Sequence, residues 1–326
     1  MPGPLLPWAK MEAMQRRPIL AIVGPTAVGK TEVAVRVAER IGGEIVCADS
    51  RTVYRGMDIG TAKPTWEMRS RVPHHLLDVA DPHQVFTVRL FQQLAREAIA
   101  QIRGRGRVPL LVGGTGLYIR AVLDGLRIPP VPPDWELRRQ LEEEERRHPG
   151  VLHERLKEVD PERAARIHPT NLRRIIRALE IWHHLGVPPS RVEARGPEEP
   201  SLRVGLTMDR RVLHERIDRR IDEQLQAGFV EEVRRLLDRG VPPSAPALQA
   251  LGYREIAAYL RGELSWTEAI RRWRRNTRRY ARRQLIWFRA ETRIRWLDVT
   301  DLRPEEAAER IGEWFLAEAR EGLPVR

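Results

Sequence analysis

The sequence predicts an α/β fold, in which a parallel sheet carries a phosphate-binding loop and a helical subdomain is inserted into that core. Residues 24–31 read GPTAVGKT, which is the pattern of a P-loop. Short apolar runs recur before glycine-rich or acidic turns, as expected of buried parallel strands. Between two proline-rich segments the pattern becomes wholly helical. Together these observations favour a P-loop NTPase-like parallel sheet core with an inserted helical subdomain.

The P-loop pattern stands between a predicted strand and a predicted helix, the context that it requires. The run ILAIV at 19–23 predicts a buried strand, and the apolar residues of 32–41 share one helical face. Backbone N–H groups of the loop and the N-terminus of the helix favour an anion. The residues predicted to bind a phosphate or diphosphate group are Gly24, Pro25, Thr26, Ala27, Val28, Gly29, Lys30 and Thr31. Lys30 is expected to hold the outer phosphate and Thr31 a Mg²⁺ ion.

Two further predicted strands end in polar residues. The strand at 44–48 leads into Asp49, and an acid in that position points into the ligand crevice of a parallel sheet. Asp49 is therefore a candidate catalytic or Mg²⁺-linked carboxylate, with a turn cap as the alternative. The strand at 108–112 leads through glycines to Thr115, whose hydroxyl is expected to face the same crevice. The irregular segment 51–64, which contains Lys63, is predicted to be a functional loop.

The proline-rich segments 128–134 and 188–200 are predicted hinges around a helical stretch. We expect a flexible N-terminus at 1–17, a P-loop α/β core at 18–127 and 201–326, and an inserted helical subdomain with its hinges at 128–200. The longest inserted helix, at 170–185, places arginines opposite its apolar stripe. Those arginines, Arg173, Arg174 and Arg177, are expected either to contact a phosphate backbone or to form a solvated charged face.

After residue 200 the chain is predicted to return to the core. A strand at 201–208 precedes one amphipathic helix over 213–239, which carries Arg216 and Arg220 one turn apart. A long helix at 267–289 is rich in arginine, and part of its arginine face is expected to contact RNA. Its aromatic residues recur every seven positions, a spacing that favours a core stripe over a base-stacking platform. They are Trp273, Tyr280 and Trp287.

Composition narrows the class of protein. The chain has 57 Lys+Arg against 45 Asp+Glu, a net charge of +12, which favours a polyanionic partner such as nucleic acid. The basic residues are mostly arginine, however, and such a bias can also reflect GC-rich coding or heat adaptation, so the arginines are weaker evidence for nucleic acid than usual. The single cysteine, Cys47, excludes an internal disulfide and a cysteine-rich zinc site. Because no run approaches about 18 apolar residues, no membrane span is predicted and a cytoplasmic enzyme is expected.

Several segments, in this order, resemble the tRNA dimethylallyltransferase (tRNA isopentenyltransferase) family. They are GPTAVGKT, ADSRTVYRGMDIGTAKP, PHHLLD, VGGTGLYIRA, RIIRALE, the helix of Arg216 and Arg220, and QALGYRE. The resemblance extends from about residue 18 to residue 297, and the block at 49–64 is its most specific part. It implies the bacterial form, since the sequence lacks the zinc-finger cysteines that some eukaryotic relatives carry.

The resemblance implies transfer of a dimethylallyl group from dimethylallyl diphosphate to N6 of adenine 37, beside the tRNA anticodon, with release of diphosphate. The implied catalytic residues are Asp49 as the base at N6, Thr115 as a hydrogen-bonding group, and Arg220 at the departing diphosphate. The implied tRNA contacts are Asp49, Ser50, Arg51, Thr52, Thr115, Arg138, Arg173, Arg174, Ile175, Ile176 and Arg177. The expected partners are the tRNA anticodon stem-loop and dimethylallyl diphosphate, with Mg²⁺ as cofactor, and the chain is expected to be a monomer.

Two other functions stay open on the residues alone. One is a small-molecule kinase with a P-loop, in which Asp49 activates a hydroxyl group. The other is an RNA-binding module whose P-loop serves as a nucleotide switch. The strand at 108–112 is not followed by an acid, which weakens an ATP-hydrolysing interpretation.

Overall fold

The computed structural model describes residues 18–192 and 195–321, which form two compact units. One unit combines the chain up to Leu123 with the chain from Glu199 onward, and the other is Asp124–Glu198. The helical insertion predicted at 128–200 overlaps the second unit. The N-terminus predicted to be flexible, 1–17, lies outside the described residues.

A single parallel sheet forms the centre of the first unit. Its strands are β1 (Ile19–Val23), β2 (Gly43–Cys47), β3 (His74–His75), β4 (Val108–Gly113), β5 (Ser201–Thr207) and β6 (Ile294–Asp298). Their order across the sheet is β3-β2-β4-β1-β5-β6, and every neighbouring pair is parallel. The apolar runs of β1, β2 and β4 are buried from end to end, because helices cover both faces. The predicted α/β class with a parallel sheet is confirmed.

Helices surround this sheet and make up the second unit. Before the insertion they are α1 (Lys30–Ile41), α2 (Trp66–Arg71), α3 (Val88–Gly104) and α4 (Gly116–Leu123). The second unit contains α5 (Trp135–Arg147), α6 (Val151–Val159), α7 (Pro161–Ala165), α8 (Leu172–Leu185) and α9 (Pro189–Val192). The chain then forms α10 (Arg210–Gln226), α11 (Phe229–Asp238), α12 (Tyr253–Leu260), α13 (Trp266–Arg289) and α14 (Pro304–Glu321).

The two faces of the sheet bury different helices. Leu20 and Ile22 of β1 belong to a hydrophobic cluster with α1, α10 and α14. Ile19, Ala21 and Val23 belong to a second cluster with α3 and α4. Since successive side chains of a strand point to opposite faces, β1 joins both layers and leads directly into the P-loop. The phosphate-binding loop is thereby fixed to the most buried part of the unit.

The single helix predicted over 213–239 is wrong, because the chain forms two helices there. Helix α10 ends at Gln226, and α11 begins at Phe229. Between them Gly228 has a φ of 91°, in the left-handed region that glycine adopts without steric cost. The apolar periodicity continues across this break, so it carried no sign of the turn. The break leaves Glu232 of α11 buried, where it contacts a loop of the candidate site.

The second unit has its own hydrophobic core, which includes Ile175 and Ile176 of α8. These two side chains are 0% and 5% exposed, so they present no surface to RNA. Arg173 and Arg174 are exposed on the same helix. The side chains of the two arginines are therefore accessible to RNA, whereas those of the two isoleucines are not.

Two other predicted RNA contacts, Arg138 and Arg177, bind the fully buried Glu180. Arg138 donates to both of its carboxylate oxygens at 2.8 Å, and Arg177 donates to Oε2 at 2.5 Å. Burial alone would raise the pKa of Glu180, but the bonds from Arg138, the Asp134 N–H and Arg177 hold it below its ordinary value. Both arginines are thus half-buried and already paired, so they also stabilise the folded unit.

Candidate active site

The P-loop connects β1 to α1 by a tight backbone path. A Cβ on Gly24 would lie 2.6 Å from the carbonyl oxygen of Leu206 on β5, so only glycine fits there. Gly29 has a φ of 98° and caps α1 without a side-chain hydrogen bond. The Nζ atom of Lys30 donates to the carbonyl oxygen of Pro25 at 2.6 Å. The loop, the N-terminus of α1 and Lys30 thus combine the elements that bind phosphate groups in proteins.

A cavity of about 830 Å³ opens at this loop, within the first unit. Its walls include the P-loop, the C-terminal ends of β2 and β4, the segment 58–65, α10 and α13. Ligands bind at the carboxyl ends of the strands in open parallel sheets. Of the predicted donor-binding residues, the lining contains Thr26, Ala27, Gly29, Lys30 and Thr31. Val28 instead packs into the hydrophobic core at 1% exposure.

Asp49 and Thr115 lie together at the ends of β2 and β4. The hydroxyl oxygen of Thr115 accepts a hydrogen bond from the Ser50 N–H at 3.1 Å, and the Thr115 N–H donates to Ala48. Asp49 lines the cavity, and its Oδ1 accepts from the Arg51 N–H at 2.8 Å. The carboxylate is thus held in a turn while it faces the cavity, so its capping and catalytic interpretations are compatible.

Positive charge is concentrated on the α10 side of the cavity. Arg216, Arg219 and Arg220 all line it, and Arg220 Nη1 lies 3.5 Å from the hydroxyl of Thr26 in the P-loop. Burial lowers the pKa of Arg220, although Asp49 opposes that shift. Burial, with a smaller contribution from Arg220, likewise lowers the pKa of Lys30 to about 7, against the opposing charge of Asp49. An anionic ligand in this part of the cavity would therefore meet Lys30 and several arginines, with the carboxylate of Asp49 close to them.

We expect binding of inorganic diphosphate at pH 8 to be accompanied by proton uptake at Lys30. In the free protein the pKa of Lys30 is about 7, so the lysine is neutral in most molecules at pH 8. A bound anion favours the ammonium and raises that pKa, so a proton enters at any pH between the two values. Below pH 6 the uptake at Lys30 disappears, because the side chain is already charged. Calorimetry in buffers of different ionisation enthalpy measures it.

The variant Lys30→Met separates this uptake from protonation of the diphosphate itself. Both proteins bind the same ligand, so the difference between their proton counts belongs to Lys30. Equal counts at pH 8 would contradict a lysine that changes its protonation state when the anion binds.

The segment 58–63, which contributes to the cavity wall, is held by side chains that the sequence patterns did not single out as functional. The buried carboxylate of Glu232 accepts from the N–H groups of Asp58 and Ile59 at 2.8 Å and from Gly60 at 3.1 Å. Gln224 of α10 donates to the Ile59 carbonyl at 2.6 Å. Because these partners are distant in sequence, no motif or residue spacing could predict their contacts.

Lys63, noted above within the predicted functional loop, has a structural place inside that wall. Its Nζ donates to the Tyr54 carbonyl and to Asp58 at 2.7 Å, and to Asp78 at 2.5 Å. Its side chain is 2% exposed. The three acceptors satisfy all three donors of the ammonium, so Lys63 stabilises the loop that forms the cavity wall.

Helix α13 carries the aromatic residues that were predicted to form a core stripe, and this prediction is correct only for Trp273. That side chain is 2% exposed, whereas Tyr280 lines the cavity and Trp287 is 37% exposed. A seven-residue spacing drifts by about 20° per repeat on a straight helix. That drift is small, and the surroundings of this face also change along α13, from the core at Trp273 to the cavity at Tyr280 and the surface at Trp287. Its predicted RNA-contacting arginines are partly paired: Arg274 with Asp222, and Arg278 with Asp218.

Within the described residues, no helix has both the length and the apolar character needed to cross a membrane.

The chain matches two family models. One, described as IPP transferase, covers residues 52–291, and the other, described as isopentenyl transferase, covers residues 17–75. Among solved structures, the full-length tRNA isopentenylpyrophosphate transferase of Bacillus halodurans is 43% identical, with a TM-score of 0.71 over 94% of this chain and 97% of that one. A eukaryotic dimethylallyltransferase acting on tRNA is 26% identical, with a TM-score of 0.79 over 95% of this chain and 81% of that one.

Curated bacterial relatives agree along nearly the whole chain. The tRNA dimethylallyltransferase of Thermomicrobium roseum is 53% identical over 94% of this chain and 94% of its own length. That of Symbiobacterium thermophilum is 52% identical over 95% of this chain and 97% of its own length. With the P-loop, the cavity and the matched family models, these identities establish that the chain belongs to the tRNA dimethylallyltransferase family of prenyl-transferring enzymes.

Proposed function

We propose that this enzyme transfers the dimethylallyl group of dimethylallyl diphosphate to N6 of adenine 37 in the tRNA anticodon stem-loop. The observation that carries the proposal is one cavity with two chemically distinct sides. The P-loop, Lys30 and Arg220 supply a cationic cradle for diphosphate, and Asp49 supplies a carboxylate beside it. The named relatives act as tRNA dimethylallyltransferases, which supports tRNA and this donor as the substrates.

The chemical step follows from these groups. The bond between C1 of the donor and the bridging oxygen breaks, and its electron pair leaves with the diphosphate. The N6 lone pair forms the new C–N bond to C1, and one N6 proton passes to Asp49. Adenine N6 is a weak nucleophile because its lone pair is delocalised, so a carboxylate that orients it and accepts its proton assists the transfer. Lys30 and Arg220 neutralise the charge that develops on the leaving group.

Access to the base requires that adenine 37 leave the stack of the anticodon loop. The cavity lies at the ends of buried strands, where a stacked base cannot enter. Enzymes that modify a base inside a structured nucleic acid extrude the target nucleotide into the active site. We infer base flipping for this chain, with Ser50, Arg51 and Thr52 next to Asp49 as the adjoining RNA contacts.

A Mg²⁺ ion is compatible with the donor set of this cavity. In proteins Mg²⁺ typically uses one or two protein oxygens and takes its other ligands from water and substrate phosphates. The described residues include no group of three or more His, Cys, Asp or Glu side chains that could hold a metal alone, but Thr31 and Asp49 both line the cavity. We propose that Thr31 would hold the ion, which would supply positive charge to the leaving diphosphate.

Parallel reactions with labelled dimethylallyl diphosphate, with ATP and with bulk tRNA test the proposal. We expect label to pass from the prenyl donor to tRNA and no phosphate to pass from ATP to a small molecule. Phosphate transfer from ATP would support the kinase alternative. Nucleotide-dependent tRNA binding without any transfer would support a nucleotide-switched RNA-binding module.

Salt is expected to weaken tRNA binding much more than donor binding. Arginines that neutralise several RNA phosphates release counterions, so the affinity falls steeply with salt, whereas the diphosphate is held by a few fixed groups. The net charge of +12 and the exposed Arg275, Arg279 and Arg282 of α13 motivate this expectation. Binding isotherms at several salt concentrations, with inorganic diphosphate as the comparison ligand, measure it. A tRNA affinity that does not respond to salt would contradict binding through these arginines.

We further propose that the enzyme acts as a monomer in the bacterial cytoplasm, where tRNA is found. The cavity residues described above all belong to a single chain, so no second copy is needed to complete the site. Light scattering of the protein with and without tRNA tests the monomeric state.

A further inference from the structure

Gln284 on α13 connects two loops of the candidate active site. The Thr26 N–H of the P-loop donates to its Oε1 at 2.9 Å, and its Nε2 donates to the Gly114 carbonyl at 2.9 Å. The side chain is 5% exposed and lines the cavity. One amide group thus joins the phosphate-binding loop after β1 to the loop after β4.

The chemistry of this link is specific to a side-chain amide. The Thr26 N–H requires an acceptor and the Gly114 carbonyl requires a donor, and the primary amide of glutamine supplies both from one rigid group. The fit is also tight, because a Cβ on Gly114 would lie 2.2 Å from Nε2 of Gln284. Neither a hydrocarbon nor a carboxylate of the same size satisfies both partners.

One helical turn before Gln284, Tyr280 also lies at the cavity, near the loop that carries Thr115. It lines the cavity and lies close to Thr115, the residue that follows Gly114. Residues four apart share a helix face, so one face of α13 reaches both the donor cradle and the Thr115 loop. Helix α13 is therefore placed to set the separation between these loops.

We propose that Gln284 is a positioning residue for prenyl transfer. It holds the P-loop and the Thr115 loop at a fixed separation, so that C1 of the bound donor lies at bonding distance from adenine N6. The inference rests on the proposed function and deepens it. Gln284 touches neither reacting atom and acts through the two loops. An error of about 1 Å in such a placement costs about 10²-fold in rate.

Two variants test the link. Gln284→Leu removes both bonds, and Gln284→Glu keeps the acceptor for the Thr26 N–H while it turns the donor toward Gly114 into an acceptor. We expect the single-turnover rate to fall about 10–100-fold in both variants. Inorganic diphosphate should still bind Gln284→Leu nearly as tightly as the wild type, because that variant adds no charge to the cavity, whereas the new carboxylate of Gln284→Glu repels the anion. Loss of rate with retained binding of diphosphate and tRNA is the result that a purely structural role does not produce.

Gln92 offers a matched control outside the site. It is also a buried glutamine, 7% exposed, and donates to the Ala121 carbonyl at 2.5 Å, but it does not line the cavity. Gln92→Leu is expected to lower the melting temperature and leave the single-turnover rate unchanged. If Gln284→Leu and Gln92→Leu transfer the prenyl group at equal rates, the proposal is overturned.

A double variant gives a second, independent criterion. If Gln284 acts through the Thr115 loop, the loss in Thr115→Val/Gln284→Leu is smaller than the product of the two single losses, because the second change removes a placement that the first has already made useless. A loss equal to that product would overturn the proposal. The wild-type reaction in the same assay reports separately on the proposed function: no transfer to tRNA would reject that function, whatever the variants do.

Discussion

Replacement of Lys30 by methionine is expected to lower the single-turnover rate of prenyl transfer by about 10²–10³-fold. The ammonium of Lys30 lies at the start of α1, donates to Pro25 at 2.6 Å and shares the cavity with Arg220. Negative charge builds on the bridging oxygen as the C1–O bond breaks, and a fixed cation stabilises that charge more than it stabilises the bound donor. The measurement is the transfer of labelled prenyl to tRNA with both substrates saturating.

Lys157 provides the matched control for that substitution. It is an exposed lysine of α6, paired with Glu154 at 2.7 Å, and it belongs to the second unit. Lys157→Met removes the same charge from a solvated helix face and should leave the rate unchanged, because surface pairs of this kind contribute little. Wild-type rates in Lys30→Met would exclude the ammonium from stabilising the leaving group.

Features encoded by neighbouring residues could be predicted from the sequence. The strand Ile19–Val23 has the predicted bounds. The P-loop is contiguous, so the strand, the turn and the helix that define it all lie within the short segment 19–41. Asp49 and Thr115 could also be placed, since the C-terminal ends of parallel strands meet at one edge of the sheet.

Contacts between distant residues could not be predicted in this way. Gln284 meets Thr26 across 258 positions, and Glu232 meets Asp58 across 174. Each is a buried polar side chain on a helix whose apolar pattern is ordinary, and the partner is a backbone group that any residue carries. Such polar contacts produce no periodic pattern or fixed spacing in the sequence, because they depend on how the helices pack.

The charged residues show a second limit. A pattern places arginines on one face of a helix, but it does not say whether a carboxylate from elsewhere already binds them. Arg138 and Arg177 surround the buried Glu180, while Arg173 and Arg174 remain exposed. Burial of Glu180 requires paired cations, so part of the apparent RNA-binding face stabilises the second unit instead.

Asp49→Asn is expected to lower the single-turnover rate by about 10²–10⁴-fold, the range for loss of a general base. The amide keeps the size of the side chain. Its oxygen can still accept from the Arg51 N–H, which lies 2.8 Å from Oδ1 of Asp49 in the wild type. It cannot take the proton of adenine N6. Affinities for tRNA and for the donor should change little, because proton transfer matters most in the transition state. Parallel measurements of the melting temperature report on the turn itself.

Mg²⁺ titration distinguishes the possible roles of this carboxylate. If Asp49 serves as the base, the slow rate of Asp49→Asn does not respond to added metal. If it mainly supports a Mg²⁺ ion beside Thr31, high Mg²⁺ restores much of the rate. If it only caps the turn after β2, the rate survives and the free energy of unfolding falls by about 1 kcal/mol. A near-normal single-turnover rate at low Mg²⁺ would therefore remove Asp49 from the chemical step and leave the proton of N6 to another acceptor.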